Sequence, residues 1–174
     1  FVEVLGMIHK YGAAVILGTI DEEGMAKDAE RKAAVAKRMA RIAVDRCGFR
    51  PQDLFFDPLA LTIGAGQESD RALGRETLEG IRRIKAEVPG AFTTLGLSNI
   101  SFGLSPPARH VLNSVYLHHA REAGLDSAIV HAGKIKPLFK IDPRHREMAE
   151  DLIFDRRRPG YDPLLEFVGL FMGA

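Results

Sequence analysis

Asp57 follows the apolar run Leu54-Phe55-Phe56 and precedes Pro58. A carboxylate just past so apolar a run is costly unless it is bonded, and when ionised it accepts two parallel hydrogen bonds well. A heterocycle edge with an N–H beside an NH2, as in a pterin or guanine, meets that demand. Turn chemistry is the competing reading, because Asp before Pro often starts a turn. The segment GLSNISFGL (96–104) raises the same choice. The Asn99 amide both donates and accepts, which suits a ring nitrogen that gains or loses a proton, but Asn99 also fits a turn or a helix entry. Ser98 and Ser101 read as local backbone-bonding residues. Asp21 and Glu22 end an earlier apolar run; one of them lines a pocket or both belong to a solvated acidic loop. His131 ends a later run without a second metal ligand at recognisable spacing. His118-His119 fall mid-helix and read as structural. The GAG at 64–66 lacks the third glycine and the helix start of a dinucleotide fingerprint. Nucleophile elbow, P-loop and Cys/His zinc patterns are absent, so no metal site is expected.

The elements that must position these residues repeat four times. The apolar runs AAVILGTID (13–21), DLFFDP (53–58), FTTLGLSN (92–99) and SAIVHAG (127–133) read as strands buried on both faces, as in parallel sheets. They close on Asp21, Asp57, Asn99 and His131, at the spacing of strand-plus-helix units. Between them, helical stripes run through Val35, Met39 and Ile42, through Leu73, Thr77, Ile81, Ile84 and Val88, and through Val111, Leu112, Val115 and Tyr116. Ser105-Pro106 and Asp142-Pro143 mark helix starts, and Gly48, Gly90 and Gly124 mark ends. The class is therefore α/β, with parallel neighbours and right-handed crossovers. Four such units make part of an open doubly wound sheet or half of an eight-fold barrel, and both designs put function at the C-terminal strand ends.

Composition narrows the function classes. Of 174 residues, 46% are apolar and 27% charged, and 24 basic against 23 acidic groups leave a formal charge of +1. That balance gives no reason to expect nucleic acid as a partner, and the basic run DRRRPG (155–160) reads as a solvated helix end. The single cysteine, Cys47, excludes an intrachain disulfide and fits a reducing, cytoplasmic setting. No apolar run approaches the ~20 residues of a membrane span. The start at Phe1, in what reads as mid-helix, suggests an excised segment. Beyond residue 158, a Pro/Gly break and the stripe Leu164, Leu165, Phe167, Val168, Leu170, Phe171 read as a linker and helix that either leaves toward a neighbouring domain or packs back.

Taken together, LFFDPL, TTLGLSNISFGLSPPAR, GLDSAIVHAGKI and DLIFDRRRPGYDPL, with KYGAAVILGTIDEEGMAKDAERK upstream, resemble the pterin-binding region of the cobalamin-dependent methionine synthase family. The resemblance runs in order along nearly the whole chain. It implies a (β/α)8 TIM barrel of which residues 1–158 supply the last four βα units. Residues 159–174 would then lead to a cobalamin-binding domain of the same parent chain. The family's first barrel half, with a further pterin-contacting Asp and Asn, would lie outside this sequence. The implied activity is a methyltransferase step of methionine synthesis, in which the N5-methyl group of 5-methyltetrahydrofolate passes to cob(I)alamin on the neighbouring domain. Asp57 would bind the pterin's amine and ring N–H edge. Asn99 would lie near N5 as the catalytic group, Gly96 would allow close approach of the ring, and Asp21 is a further candidate substrate ligand. His131 stands where some relatives carry Asn, and Phe102 where related corrinoid-protein methyltransferases can carry Gln. A dihydropteroate-synthase-like enzyme is the alternative, but IVHAGKI offers only Lys134 and Lys136 for a phosphate. A folate-binding half-barrel without activity is another. A half-barrel exposes two unpaired sheet edges and an apolar inner face, so the fragment is expected to self-associate.

Overall fold

The computed structural model describes residues 1–172. In chain order its elements are α1 (Val2–Lys10), β1 (Val15–Gly18), β2 (Ile20–Asp21), β3 (Gly24–Met25), α2 (Ala29–Cys47), β4 (Leu54–Asp57), α3 (Leu73–Glu87), β5 (Phe92–Leu95), α4 (Pro106–Glu122), β6 (Ser127–Ala128), α5 (Pro143–Ile153) and α6 (Pro163–Gly169), with short 3-10 turns between several of them. They fall into two compact units. The first holds Phe1–Leu59, Thr77–Leu95 and Ala123–Ala128; the second holds Ala60–Glu76, Gly96–Glu122 and Ile129–Ala174.

The first unit is built on a four-stranded sheet of order β1-β4-β5-β6, parallel throughout. Leu17, Leu54 and Phe56 point to one face, where they join Ala36, Ala40, Ala43, Ile84 and Val88 in a closed core. Each fully buried Leu or Phe there contributes about 1.5–3 kcal/mol. The opposite face carries Ile16, Phe55 and Phe92, aligned across three strands by the register Ile16↔Phe55 and Phe55↔Phe92. The Phe55 and Phe92 rings stack 5.1 Å apart, and Ile16 is 58% exposed.

The strands are shorter than the apolar runs, for local reasons. The first run breaks at Thr19, whose amide still bonds the Asp57 carbonyl at 2.9 Å. Ile20–Asp21 then pairs antiparallel with Gly24–Met25 as a small hairpin, so Asp21 does not close β1. The third run leaves the extended region at Gly96 (φ −69, ψ 68), and Leu97–Ser101 coils into a 3-10 turn that carries Asn99. The fourth run pairs only at Ser127 and Ala128, leaving His131 three residues past β6. The helices follow their stripes. Asp28 caps α2 through Arg31 N, Asp142 caps α5 through Arg144 N and His145 N, and Gly48, Gly90 and Gly124 take positive φ just past helix ends.

In the second unit α4 packs on the 97–101 turn and on α5, and α5 packs on α6. Tyr116 is fully buried and its hydroxyl donates to the Gly74 carbonyl at 3.0 Å. Phe167 of α6 is buried and meets the Phe171 ring. The DRRRPG run follows α5 and is largely exposed, as the sequence suggested, and its arginines are paired as well. Arg157 bonds Asp155 and Asp162, Arg156 and Arg158 approach Asp151, and the chain turns at Asp155 with φ 50. The last two residues of the 159–174 segment lie outside the described ones.

Candidate functional site

The predicted residues divide between the two units. In the first, Asp57 closes β4 and is half-buried. Its Oδ1 accepts the Leu59 amide at 2.8 Å, so the turn reading is realised by one oxygen. Leu59 takes φ 63, one of two positive values at non-glycine residues among those described. Backbone held in that region clusters at ligand sites. The turn is fixed from behind by the Lys32 ammonium, which donates to the carbonyls of Pro58 (2.6 Å) and Ala26 (2.8 Å), and by the Thr77 hydroxyl on the Leu59 carbonyl (3.1 Å).

The acidic hairpin is already engaged. Asp21 Oδ1 accepts from the Arg31 guanidinium and from the Glu23 amide, and Glu22 bonds Arg38 at 2.7 Å. The Arg31 bond holds the Asp21 carboxyl below its ordinary value, and the Arg38 bond does the same for Glu22. Asp21 is thus an ionised carboxylate with its own cation at hand.

The second unit brings Gly96, Asn99 and His131 together. With Ser98, Ile129 and Val130 they line an open pocket of about 260 Å³. Asn99 is exposed. Its backbone closes the turn, the amide on the Gly96 carbonyl and the carbonyl under the Phe102 amide. Its side chain makes no hydrogen bond to any described residue, so the carboxamide is available to a ligand. A Cβ on Gly96 would come within 3.3 Å of Asn99 Nδ2, so the glycine is what lets the amide lie over it. Ser101 Oγ bonds the Ser98 carbonyl, the local role its sequence context suggested. Arg109 from α4 braces the same turn, donating to Ser101 Oγ (3.1 Å) and the Ser98 carbonyl (3.2 Å) with its guanidinium 5.0 Å from the Phe102 ring centre. The surroundings are basic. Burial first, then Lys134, Lys136 and His131, hold His110 of α4 below the usual histidine value.

Sequence reasoning missed Lys32 and Arg109. Lys32 had a signal: it interrupts the alanine stripe of α2, and Gly80 interrupts α3 opposite it. Arg109 had none, because an arginine in the first turn of a helix reads as solvated. His118 and His119, which the sequence reading left as structural, bring their ring nitrogens and a Glu122 carboxylate oxygen within 4.8 Å of one another. His119 also contacts Glu150 at 3.3 Å, so histidine–carboxylate pairing accounts for the group.

The family model described as pterin binding enzyme matches residues 1–131. The chain belongs to the pterin-binding enzyme family. The match spans Asp57, Gly96, Asn99 and His131 alike. Within that family the chain is 50% identical over all 174 residues to methionine synthases of Mycobacterium tuberculosis (strain ATCC 25618 / H37Rv) and Mycobacterium leprae (strain TN). It spans 15% and 14% of their lengths. No helix among the described residues is long and apolar enough to cross a membrane.

Proposed function

We propose that this pterin-binding chain binds 5-methyltetrahydrofolate and supports transfer of its N5-methyl group to cob(I)alamin during methionine synthesis, in a cytoplasmic enzyme. The observation that carries the reading is the uncommitted Asn99 amide, exposed in a pocket over a glycine, in a chain half identical to two methionine synthases. Asp57 takes the pterin's N–H and NH2 edge with its carboxylate, one oxygen of which also holds the Leu59 amide. Asp21 is a secondary candidate, since a ligand there would share the carboxylate with Arg31. The barrel reading, in which this chain is the last four units of a (β/α)8 barrel, gains support from the strand order. The sheet strands lie side by side in chain order, with only the β2–β3 hairpin inserted between β1 and β4, as around a barrel and without the order reversal of a doubly wound sheet. Residues 159–174 then lead toward the corrinoid-carrying domain.

The chemistry asks little of the protein beyond position and charge. The methyl group leaves a tertiary amine, and the N5–CH3 bond breaks with its electron pair remaining on nitrogen. That departure is easy only if N5 is already protonated. The Asn99 carboxamide oxygen accepts the hydrogen bond of the N5 proton, which favours the protonated, transfer-competent amine, and N5 keeps that proton when the methyl group leaves. The corrinoid supplies the electron pair that accepts the methyl group. The pocket of about 260 Å³ suits one ring system at an open rim. It lies below the ~300–1,000 Å³ that enclose larger ligands, so no residue of this chain is assigned to holding the corrinoid.

The test is a titration with 5-methyltetrahydrofolate beside single-turnover methyl transfer in the full-length protein. Asp57→Asn keeps the acceptor for the Leu59 amide but replaces one ligand oxygen by an NH2. It is expected to weaken binding ~100-fold or more, the loss of charge-assisted bonds. Asn99→Ala is expected to slow transfer ~100-fold with affinity changed less than about threefold. Equal affinity loss in both, with normal transfer at saturation, refutes the division of roles.

A further inference from the structure

On the buried stripe of α2, Lys32 stands among Ala29, Ala33, Val35 and Ala36 and is 0% exposed. An ammonium group has three donors. Its carbonyl partners are Pro58 at 2.6 Å, Ala26 at 2.8 Å and Leu59, more distantly, at 3.4 Å. Two of these acceptors are the residues that directly follow Asp57. The third, Ala26, leads out of the acidic hairpin, where its own amide bonds the Thr19 carbonyl. Leu59, held by Lys32 and Thr77 through its carbonyl, offers its amide to Asp57 Oδ1. The carboxylate is thus oriented by an amide whose residue, at φ 63, keeps that conformation only while its surroundings impose it.

Stability alone does not call for a lysine there, because an apolar residue of similar volume often serves a buried stripe as well or better. The neighbouring helix is shaped to admit this one. A Cβ on Gly80 of α3 would lie 2.8 Å from Lys32 Cδ and 3.3 Å from its Cβ, so α3 forgoes a side chain in mid-helix to make room for the lysine stem.

We infer that Lys32 is a positioning residue for the Asp57 carboxylate, acting through the carbonyls of Pro58 and Leu59. The inference rests on the reading of Asp57 as the pterin ligand. It separates Lys32 from the chemistry at N5, so its loss appears in binding and not in the transfer step.

The experiment pairs a ligand-free readout with a ligand-bound one in the full-length protein. Lys32→Met keeps the stem and removes the donors. Exchange of the Leu59 amide is expected to accelerate at least tenfold while the β4 amides of Leu54–Phe56 keep their protection. The KM for 5-methyltetrahydrofolate is expected to rise at least tenfold with kcat within twofold. Gly80→Ala, which restores a good helix former and crowds the stem, is expected to move both readouts in the same direction by a smaller factor. It carries the test if Lys32→Met does not fold. Wild-type Leu59 exchange and wild-type KM in a folded variant overturn the inference, as does a fall in kcat at unchanged KM. If the wild-type protein fails to bind 5-methyltetrahydrofolate but Leu59 exchange still accelerates in the variant, the clamp stands and the substrate reading falls.

Discussion

At the residue scale the proposed function rests on two side chains, Asp57 in the first unit and Asn99 in the second. Asp57 has one oxygen engaged by its own turn, while the Asn99 amide bonds nothing among the described residues. The freedom of Asn99 depends on what lies beneath it. Gly96 is not in a conformation reserved for glycine, since its φ is −69. Its role is close approach, with the absent Cβ leaving room for Asn99 Nδ2. Gly96→Ala is therefore expected to shift the amide by a few tenths of an ångström and slow methyl transfer about tenfold, the cost of misplacing the group that bonds N5. The 3-10 turn should survive, because Arg109 still braces Ser98 and Ser101. Single-turnover rates with saturating 5-methyltetrahydrofolate measure this, and an unchanged rate would mean that Asn99 does not act at N5.

At the element scale the existence and order of the sheet strands were legible in the sequence, whereas only β4 ends on the residue expected to close it. Asp57 could be located because an apolar run stops on it and the run is a strand in full. Asn99 could be located along the chain, but its 3-10 turn could not, because Leu97 and Ile100 continue the apolar pattern while Gly96 ends the extended backbone. The edge strand was overread for a related reason. Ser127 and Ala128 pair with Thr94 and Leu95, but Ile129 and His131 are exposed, and an apolar run without a partner strand does not extend a ladder. Asp126 holds that short strand in place. Its Oδ2 accepts the Thr93 amide (2.7 Å), the Thr93 hydroxyl (3.1 Å) and Lys85 Nζ (2.9 Å). Burial, the largest single influence, raises its pKa, yet the Lys85 bond and the two Thr93 bonds together leave it below the ordinary carboxylate value. A depressed folded-state pKa means that the stabilisation is present above the unfolded value, ~3.9, and is lost as pH falls through the folded one. Because Asp126 is exposed, Asp126→Asn is expected to lower stability at pH 7 by only about 0.5–1 kcal/mol and to flatten its fall below pH 4. Denaturant melts at pH 7 and pH 3 check this; the same loss at both values would mean that the carboxylate's charge contributes nothing.

At the scale of the whole molecule the informative feature is the face of the sheet that its helices do not close. Leu17, Leu54 and Phe56 are buried on one side, whereas Ile16, Phe55 and Phe92 form a row on the other with Ile16 58% exposed. Parallel strands are ordinarily covered on both faces. In the proposed barrel this row is part of the inner layer, filled by side chains from the remaining strands. The 174-residue chain alone then has this apolar row and two edge strands, β1 and β6, which favours self-association. One substitution separates the two settings because its effect differs between them. In the isolated chain Ile16→Lys changes an exposed position, so melting is expected to stay within ~0.5 kcal/mol of wild type. Sedimentation is expected to shift from oligomer toward monomer. In the full-length protein the same lysine would enter a packed barrel interior, where an unpaired ammonium is strongly unfavourable, and the pterin-binding domain is expected to melt at a distinctly lower temperature. A wild-type chain that sediments as a monomer at every concentration would refute the self-association. A full-length Ile16→Lys variant as stable as wild type would mean that no barrel closes over this face.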